Sequence, residues 1–87
     1  MRVIFDVEKD AANRAKHGLP LSVAALVIEN GVTTFLDTRF DYDEDRFITF
    51  GYVERRLHVA VWTERDGDVR AISVRKANER EQERYGR

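Results

Sequence analysis

The 87-residue chain contains no cysteine. Disulfides, thiolate metal sites and a cysteine nucleophile are thereby excluded, and a reducing compartment is the expected setting. A single proline leaves no room for a proline-rich linker, and neither an internal repeat nor a low-complexity run interrupts the chain. Long hydrophobic runs are missing as well. The longest, Val-Ala-Ala-Leu-Val-Ile at 23–28, falls far short of the ~20 residues that span a bilayer. The opening Met1-Arg2-Val3-Ile4-Phe5-Asp6 lacks the apolar stretch of a signal peptide. The expectation is a soluble, cytoplasmic protein that makes no use of a membrane.

An excess of charge of one sign is also lacking. Fifteen Lys and Arg face sixteen Asp and Glu, for a formal net charge of −1. Taken alone, that balance argues against a protein that grips nucleic acid with a wholly basic surface. The placement is uneven, however: residues 1–45 hold nine acids and five bases, residues 46–87 seven acids and ten bases. The chain is a dipole in sequence, and the fold decides whether it is one in space.

What remains is 43% hydrophobic and 36% charged, enough for one small domain over 1–87 with a heavily charged skin. A core of this size contributes only a few kcal/mol, so a stabilising partner is expected. Val3-Ile4-Phe5 reads as a short strand. From Val7 the spacing of Val7, Ala11, Ala12 and Ala15 is helical, with Asp6 placed to cap it and Gly18 to end it. Pro20 suits the first turn of a second helix, whose buried stripe is Leu21, Ala24, Ala25, Val27 and Ile28 and whose stop is Asn30-Gly31. The period then changes to two. Strands are predicted over 32–36, 46–53, 57–63 and 69–75, with a polar stretch at 37–45, a hairpin at Glu54-Arg55-Arg56 and an Asp66-Gly67 turn. Asn78 and Glu81 form a capping box for a terminal helix whose Glu79/Glu83 and Arg80/Arg84 rows are solvated. The predicted order is β-α-α-β-β-β-β-α, an α+β protein with an antiparallel sheet.

Several charged residues admit both a plain and a functional reading. Arg46, Arg65, Arg70 and Arg75 lie on or beside successive strands. They read as ordinary outer-face residues partnered by Glu64, Asp66 and Asp68, or as a phosphate-binding set. A hairpin would bring Arg46 and Arg65 to one end of the sheet. Strict alternation sets Arg70, Ile72 and Val74 on one face, Val69, Ala71, Ser73 and Arg75 on the other. Lys16 and His17 stand at a helix C-terminus, either as plain caps or as a phosphate contact and an acid, with the macrodipole favouring a protonated imidazole. His58, within an alternating strand, reads as a structural histidine, and Trp62 as core. The acids of the 37–45 stretch read as a solvated loop, as a weak calcium or magnesium site lacking the expected glycine and terminal glutamate, or, for Glu44, as a base or a holder of Arg46. Asp41 would fix an arginine and Asp37 the loop. Tyr85 would anchor the last helix by its ring.

Five segments in order resemble the BrnT toxin family. They are Asn13-x-x-Lys16-His17-Gly18, Asp37-x-Arg39-x-Asp41-Tyr42-x-Glu44-x-Arg46, Thr63-x-Arg65, Arg70-x-Ile72-Ser73-x-Arg75-Lys76-Ala77 and Arg80-Glu81-x-x-x-Tyr85. The chain departs from the family in having Phe5 where tryptophan is frequent, and Arg55 where the hairpin often has glycine. The resemblance implies a ribonuclease toxin of a type II toxin–antitoxin system with a RelE-like fold. Such a toxin acts without metal or cofactor, blocks translation, is neutralised by a BrnA-like antitoxin and meets operator DNA only through that antitoxin. Cleavage without metal needs a base for the 2′-OH, cations for the phosphorane and an acid for the 5′-oxygen, and leaves a 2′,3′-cyclic phosphate. The resemblance thus implies catalytic roles among Lys16, His17, Glu44, Arg46, Arg65, Arg75 and Tyr85, with Arg39, Arg70 and Lys76 on the RNA. The competing expectation is a non-catalytic module that binds a partner or RNA, including a degenerate toxin that keeps only the antitoxin interface.

Overall fold

The computed structural model describes residues 1–39, 41 and 43–86. Its elements follow in the order β1 (Val3–Ile4), α1 (Val7–His17), α2 (Val23–Glu29), β2 (Gly31–Leu36), β3 (Phe47–Val53), β4 (Arg56–Arg65), β5 (Asp68–Lys76) and α3 (Glu79–Tyr85). This is the predicted α+β order. The strands form one sheet ordered β1-β5-β4-β3-β2. β2 to β5 make an antiparallel meander, and β1 closes the far edge parallel to β5.

Local chemistry accounts for most boundaries. Asp6 Oδ1 accepts from Glu8 N at 2.8 Å to start α1, and Gly18, left-handed at φ 72°, ends it. In α3 the capping box is complete: Asn78 accepts from Glu81 N at 2.8 Å, and Glu81 accepts from Asn78 N at 2.9 Å. Both β4 hairpins use two-residue turns with positive φ at each position, Glu54 and Arg55 at 48° and 69°, Asp66 and Gly67 at 53° and 82°. That geometry matches the right-handed twist of the flanking strands. Arg55 adopts without a glycine a conformation that costs an L-residue about 1–2 kcal/mol. The second helix begins at Val23 and not at Pro20. The chain from Pro20 winds tightly, with Val23 N, Ala24 N and Ala25 N donating three residues back, so Pro20 opens the turn that precedes α2.

The sheet is covered on both faces. On one, Leu21, Ala24 and Val27 bury against Ala60, Ala71 and Val74. Here the Val27 carbonyl lies so close to Gly51 that a Cβ would collide with it. On the other, Ile48, Phe50, Leu57, Val59 and Ala77 pack with Tyr52, Val61 and Tyr85.

Two sequence expectations fail here for tertiary reasons. Helix α1 does not bury its apolar side: Val7 is 79% exposed, Ala11, Ala12 and Ala15 are exposed, and the buried residue is Asn13. The Asn13 amide donates to Leu19 O and to Val74 O, both at 2.9 Å, and accepts from Val74 N at 3.1 Å. β1 stops at Ile4, opposite Arg70, so the Asn13 side chain supplies the next hydrogen bonds along the β5 edge. The helix is thus tied to the sheet by an amide that imitates backbone.

The second failure is the alternation of β5. Ser73 pairs with Val61 but Ala71 with Trp62, leaving Ile72 as a bulge. One extra residue reverses every face beyond it. Val74 therefore joins Ala71 in the core beneath α2, while Ser73 and Arg75, opposite Val61 and Val59, turn to the other face. Arg70, opposite Thr63, shares that face with Arg75, contrary to strict alternation.

Candidate active site

The face of the sheet turned away from α2 carries a cleft of about 660 Å³ between α1 and α3. Its floor is apolar, with Ile48, Val59, Val61 and Ile72; Phe35, Phe50 and Tyr85 form an aromatic side. Tyr85 stacks on Phe50 at 4.2 Å between centroids and meets Phe35 at 5.8 Å. The walls are cationic. Lys9, Lys16, Arg39, Arg75, Arg80 and Arg84 line the cleft together with His17, against one carboxylate, Glu81.

The pattern of ion pairing sharpens this asymmetry. Arg2, Arg14, Arg39, Arg65, Arg70 and Arg75 each pair with a carboxylate. Among the described residues, Lys9, Lys16, Arg80 and Arg84 are in no such pair. The chain's net charge of −1 therefore coexists with a cleft of strongly positive character.

Arg75 is held by a two-bond ion pair inside the cleft. Its Nη1 and Nη2 donate to Glu81 Oε1 and Oε2 at 2.7 and 2.8 Å, so the residue that caps α3 also orients the guanidinium. That bond is the main reason the Glu81 carboxyl is held below the usual range and Arg75 above its own. Arg39 is near enough for its charge to oppose the second effect. His17 differs from the expectation of a protonated imidazole. Its pKa is lowered, first by partial burial and then by the charges of Lys16 and Arg75. The helix end favours a cation, whereas burial and the two neighbouring cations favour the neutral ring.

Of the predicted site residues, Lys16, His17, Arg39, Arg75 and Tyr85 line this cleft. Glu44 and Arg65 form an ion pair of 3.0 Å beyond its end. Arg46 lies there too, its carbonyl accepting from Asp37 N at 2.7 Å. The hairpin thus brings Arg46 and Arg65 to one end of the sheet, as expected. Arg39 joins the two groups, since it also lines a smaller hollow with Asp37, Asp41 and Glu44. Buried Asp37 accepts from Arg39 N at 3.1 Å, fixing the loop as expected, and also grips the Arg39 side chain at Nε and Nη2, 2.9 Å each. Tyr42 of the matching segment lies outside the described residues. Arg70 pairs with Asp6 at 3.7 Å away from the cleft, and Lys76 is exposed at the end of β5.

His58 is buried, its Nδ1 against Arg56 O at 2.8 Å, and so is structural. Trp62 is half-buried, stacks on Phe47 and donates to Thr49 Oγ1 at 2.9 Å. Among the described residues, no three His, Asp or Glu side chains gather as a metal site would require. No helix among them is long and apolar enough to cross a membrane. Lys9, Phe35, Arg80, Glu81 and Arg84 were missed as lining residues. The usable signal was helical spacing: Lys9 and Lys16 lie two turns apart, Arg80 and Arg84 one.

A family model described as "Ribonuclease toxin, BrnT, of type II toxin-antitoxin system" matches residues 5–81. No curated protein matches the chain.

Proposed function

Since the chain belongs to the BrnT family of ribonuclease toxins of type II toxin–antitoxin systems, we propose that the cationic cleft is where it cleaves RNA. The observation that carries this reading is the gathering of six cations, an imidazole and an aromatic side around one carboxylate. In the reaction the 2′-oxygen bonds to phosphorus and the P–O5′ bond breaks, leaving a 2′,3′-cyclic phosphate. His17, kept neutral at pH 7, accepts the 2′-OH proton. Arg75, with Lys16 and Arg39 beside it, stabilises the charge on the phosphorane oxygens. The leaving 5′-oxygen takes its proton from solvent water, since the arginines of the walls do not give theirs up, and Tyr85 offers a ring for a base. RNA supplies its own nucleophile, so the reaction proceeds without metal. Arg46 and Arg65 meet the strand at the sheet's end, with Glu44, 3.0 Å from Arg65, orienting that arginine. Arg70 and Lys76 contact the RNA further out.

The same reading makes the protein a cytoplasmic, RelE-like inhibitor of translation, neutralised by a BrnA-like antitoxin through which alone it reaches operator DNA. Purified protein should digest RNA in the presence of EDTA, and the 3′ ends should carry the cyclic phosphate. Intact RNA, together with growth indifferent to induction without antitoxin, would refute the reading. The alternative of a non-catalytic partner- or RNA-binding module has one observation in its favour: the fork of Arg75 is already taken up by Glu81. Binding of RNA without cleavage in the EDTA assay would establish that alternative.

His17 gives the proposal a pH signature. An ordinary histidine is half protonated at about pH 6.5, but this one is lowered by burial, Lys16 and Arg75. Cleavage should therefore persist as pH falls past 6.5 and be lost only through the lower value. Stability has the same sign. Below about 6.5 the unfolded chain binds a proton that the folded chain refuses, so stability declines with falling pH until His17 itself protonates. Glu81 and Asp10, both lowered and held chiefly by hydrogen bonds from Arg75 and from Leu21 N, extend the loss into the carboxylate range. Pairing pH–rate profiles with thermal melts tests both parts, and His17→Gln should remove the upper part of the stability slope.

A further inference from the structure

We propose that Lys9 on α1 and Arg80 and Arg84 on α3 form a phosphate track that holds the RNA strand flanking the scissile bond. The proposal rests on the reading of the cleft as an RNA site and adds residues with no role in its chemistry. All three are exposed and line the cleft. None of them is in an ion pair among the described residues, whereas Arg39 and Arg75 have carboxylate partners. Among the described residues no carboxylate is paired with them.

The spacing suits a linear polyanion. Lys9 and Lys16 are seven residues apart on α1, roughly 10 Å along the axis, and Arg80 and Arg84 are four apart on α3, about 6 Å. Two short cationic rows, one on α1 and one on α3, thus line the cleft with its apolar floor. An acidic peptide would also be attracted. Single-stranded RNA fits better because flat rings stand beside the cations on one side of the cleft: the Arg84 guanidinium lies 5.5 Å from the Tyr85 centroid, and Phe35 stands at the same side, 38% exposed. A strand that carries one charge and one base per residue uses both features at once. A peptide has no such regular need for rings.

The test is the triple variant Lys9→Ala/Arg80→Ala/Arg84→Ala, whose melting temperature should match the parent because the three side chains are exposed. Binding is read with a short 2′-O-methyl oligoribonucleotide, which cannot be cleaved by 2′-OH attack, titrated over a range of salt. The slope of log K against log salt should become shallower by about 2, from ~0.7 per lost contact on a single strand, with about tenfold or greater loss of affinity at low salt. On unmodified RNA the variant should raise KM and keep kcat at saturation. An unchanged slope and affinity would overturn the track, as would absence of oligonucleotide binding by the parent protein. Selective loss of antitoxin binding with RNA binding intact would overturn it too, and would mark these walls as an antitoxin seat. If the parent binds the oligonucleotide with the predicted slope change yet cleaves nothing, the track stands and the nuclease reading falls.

Discussion

Arg75→Ala should lower RNA cleavage on the order of a hundred- to a thousandfold, the usual cost of deleting one preorganised donor to a transition-state oxyanion. Two effects add in this cleft. The guanidinium is lost, and the Glu81 carboxylate it was bonded to at 2.7 and 2.8 Å is left facing the incoming phosphate. Arg75→Lys would restore charge without the planar fork and should recover only part of the activity.

The companion variant Glu81→Gln separates catalysis from structure. It weakens a partly exposed bidentate pair and so should cost about 1 kcal/mol of stability. Its amide oxygen can still accept from Asn78 N and preserve the cap. The fork of Arg75 is then released to the substrate, so KM should fall. Measured kcat/KM and melting temperatures decide the matter. If both variants lose activity only in step with lost melting temperature, the pair serves to hold α3, and Arg75 has no part at the phosphate.

Asn13→Ala should be the most destabilising of the substitutions considered. It leaves Leu19 O, Val74 O and Val74 N without their partner at a buried edge where water does not replace it easily. With about 1–3 kcal/mol for each buried group left unsatisfied, and partial relaxation, a loss of about 3 kcal/mol is expected. For a domain of this size that lowers Tm by about 10–20 °C. Asn13→Asp is the sharper test. A carboxylate can accept from Val74 N but cannot donate to two carbonyls, so it should be at least as damaging despite its similar shape. Wild-type stability in Asn13→Asp would show that the three hydrogen bonds are not what holds α1. Since α1 also carries Lys16 and His17, either variant should lose activity at temperatures where the parent is still folded.

The element order was legible because its signals are local. Asp6, Gly18, the Asp66-Gly67 turn and the Asn78/Glu81 capping box each act within four residues, and the change of period after Gly31 is visible without knowing what packs where. The faces were less legible. An apolar reading of α1 through Val7 and its alanines missed Asn13, because an asparagine that replaces a strand's hydrogen bonds looks like any polar surface residue. The bulge at Ile72 leaves no mark in an alternating sequence, yet it decides that Arg75 and Ser73 face the cleft while Val74 enters the core. The protonation expected of His17 failed for a related reason. Its helix end is local, but the Arg75 charge and the burial that oppose it come from elsewhere in the fold.

The charge balance shows where this division falls. By itself the sequence determined the α+β order, the family segments and the presence of nearly equal numbers of acids and bases, since these depend on residue identity and near neighbours. Only the tertiary structure decided how the charges pair. Asp6, Asp10, Asp37, Glu44 and Asp68 neutralise arginines outside the cleft or at its border, while Lys9, Lys16, Arg80 and Arg84 converge on it without carboxylate partners among the described residues. Net charge sums over the whole chain, whereas a phosphate responds to charges within roughly a Debye length, about 8–10 Å. The folding of α1 and α3 towards one sheet face sets which charges those are.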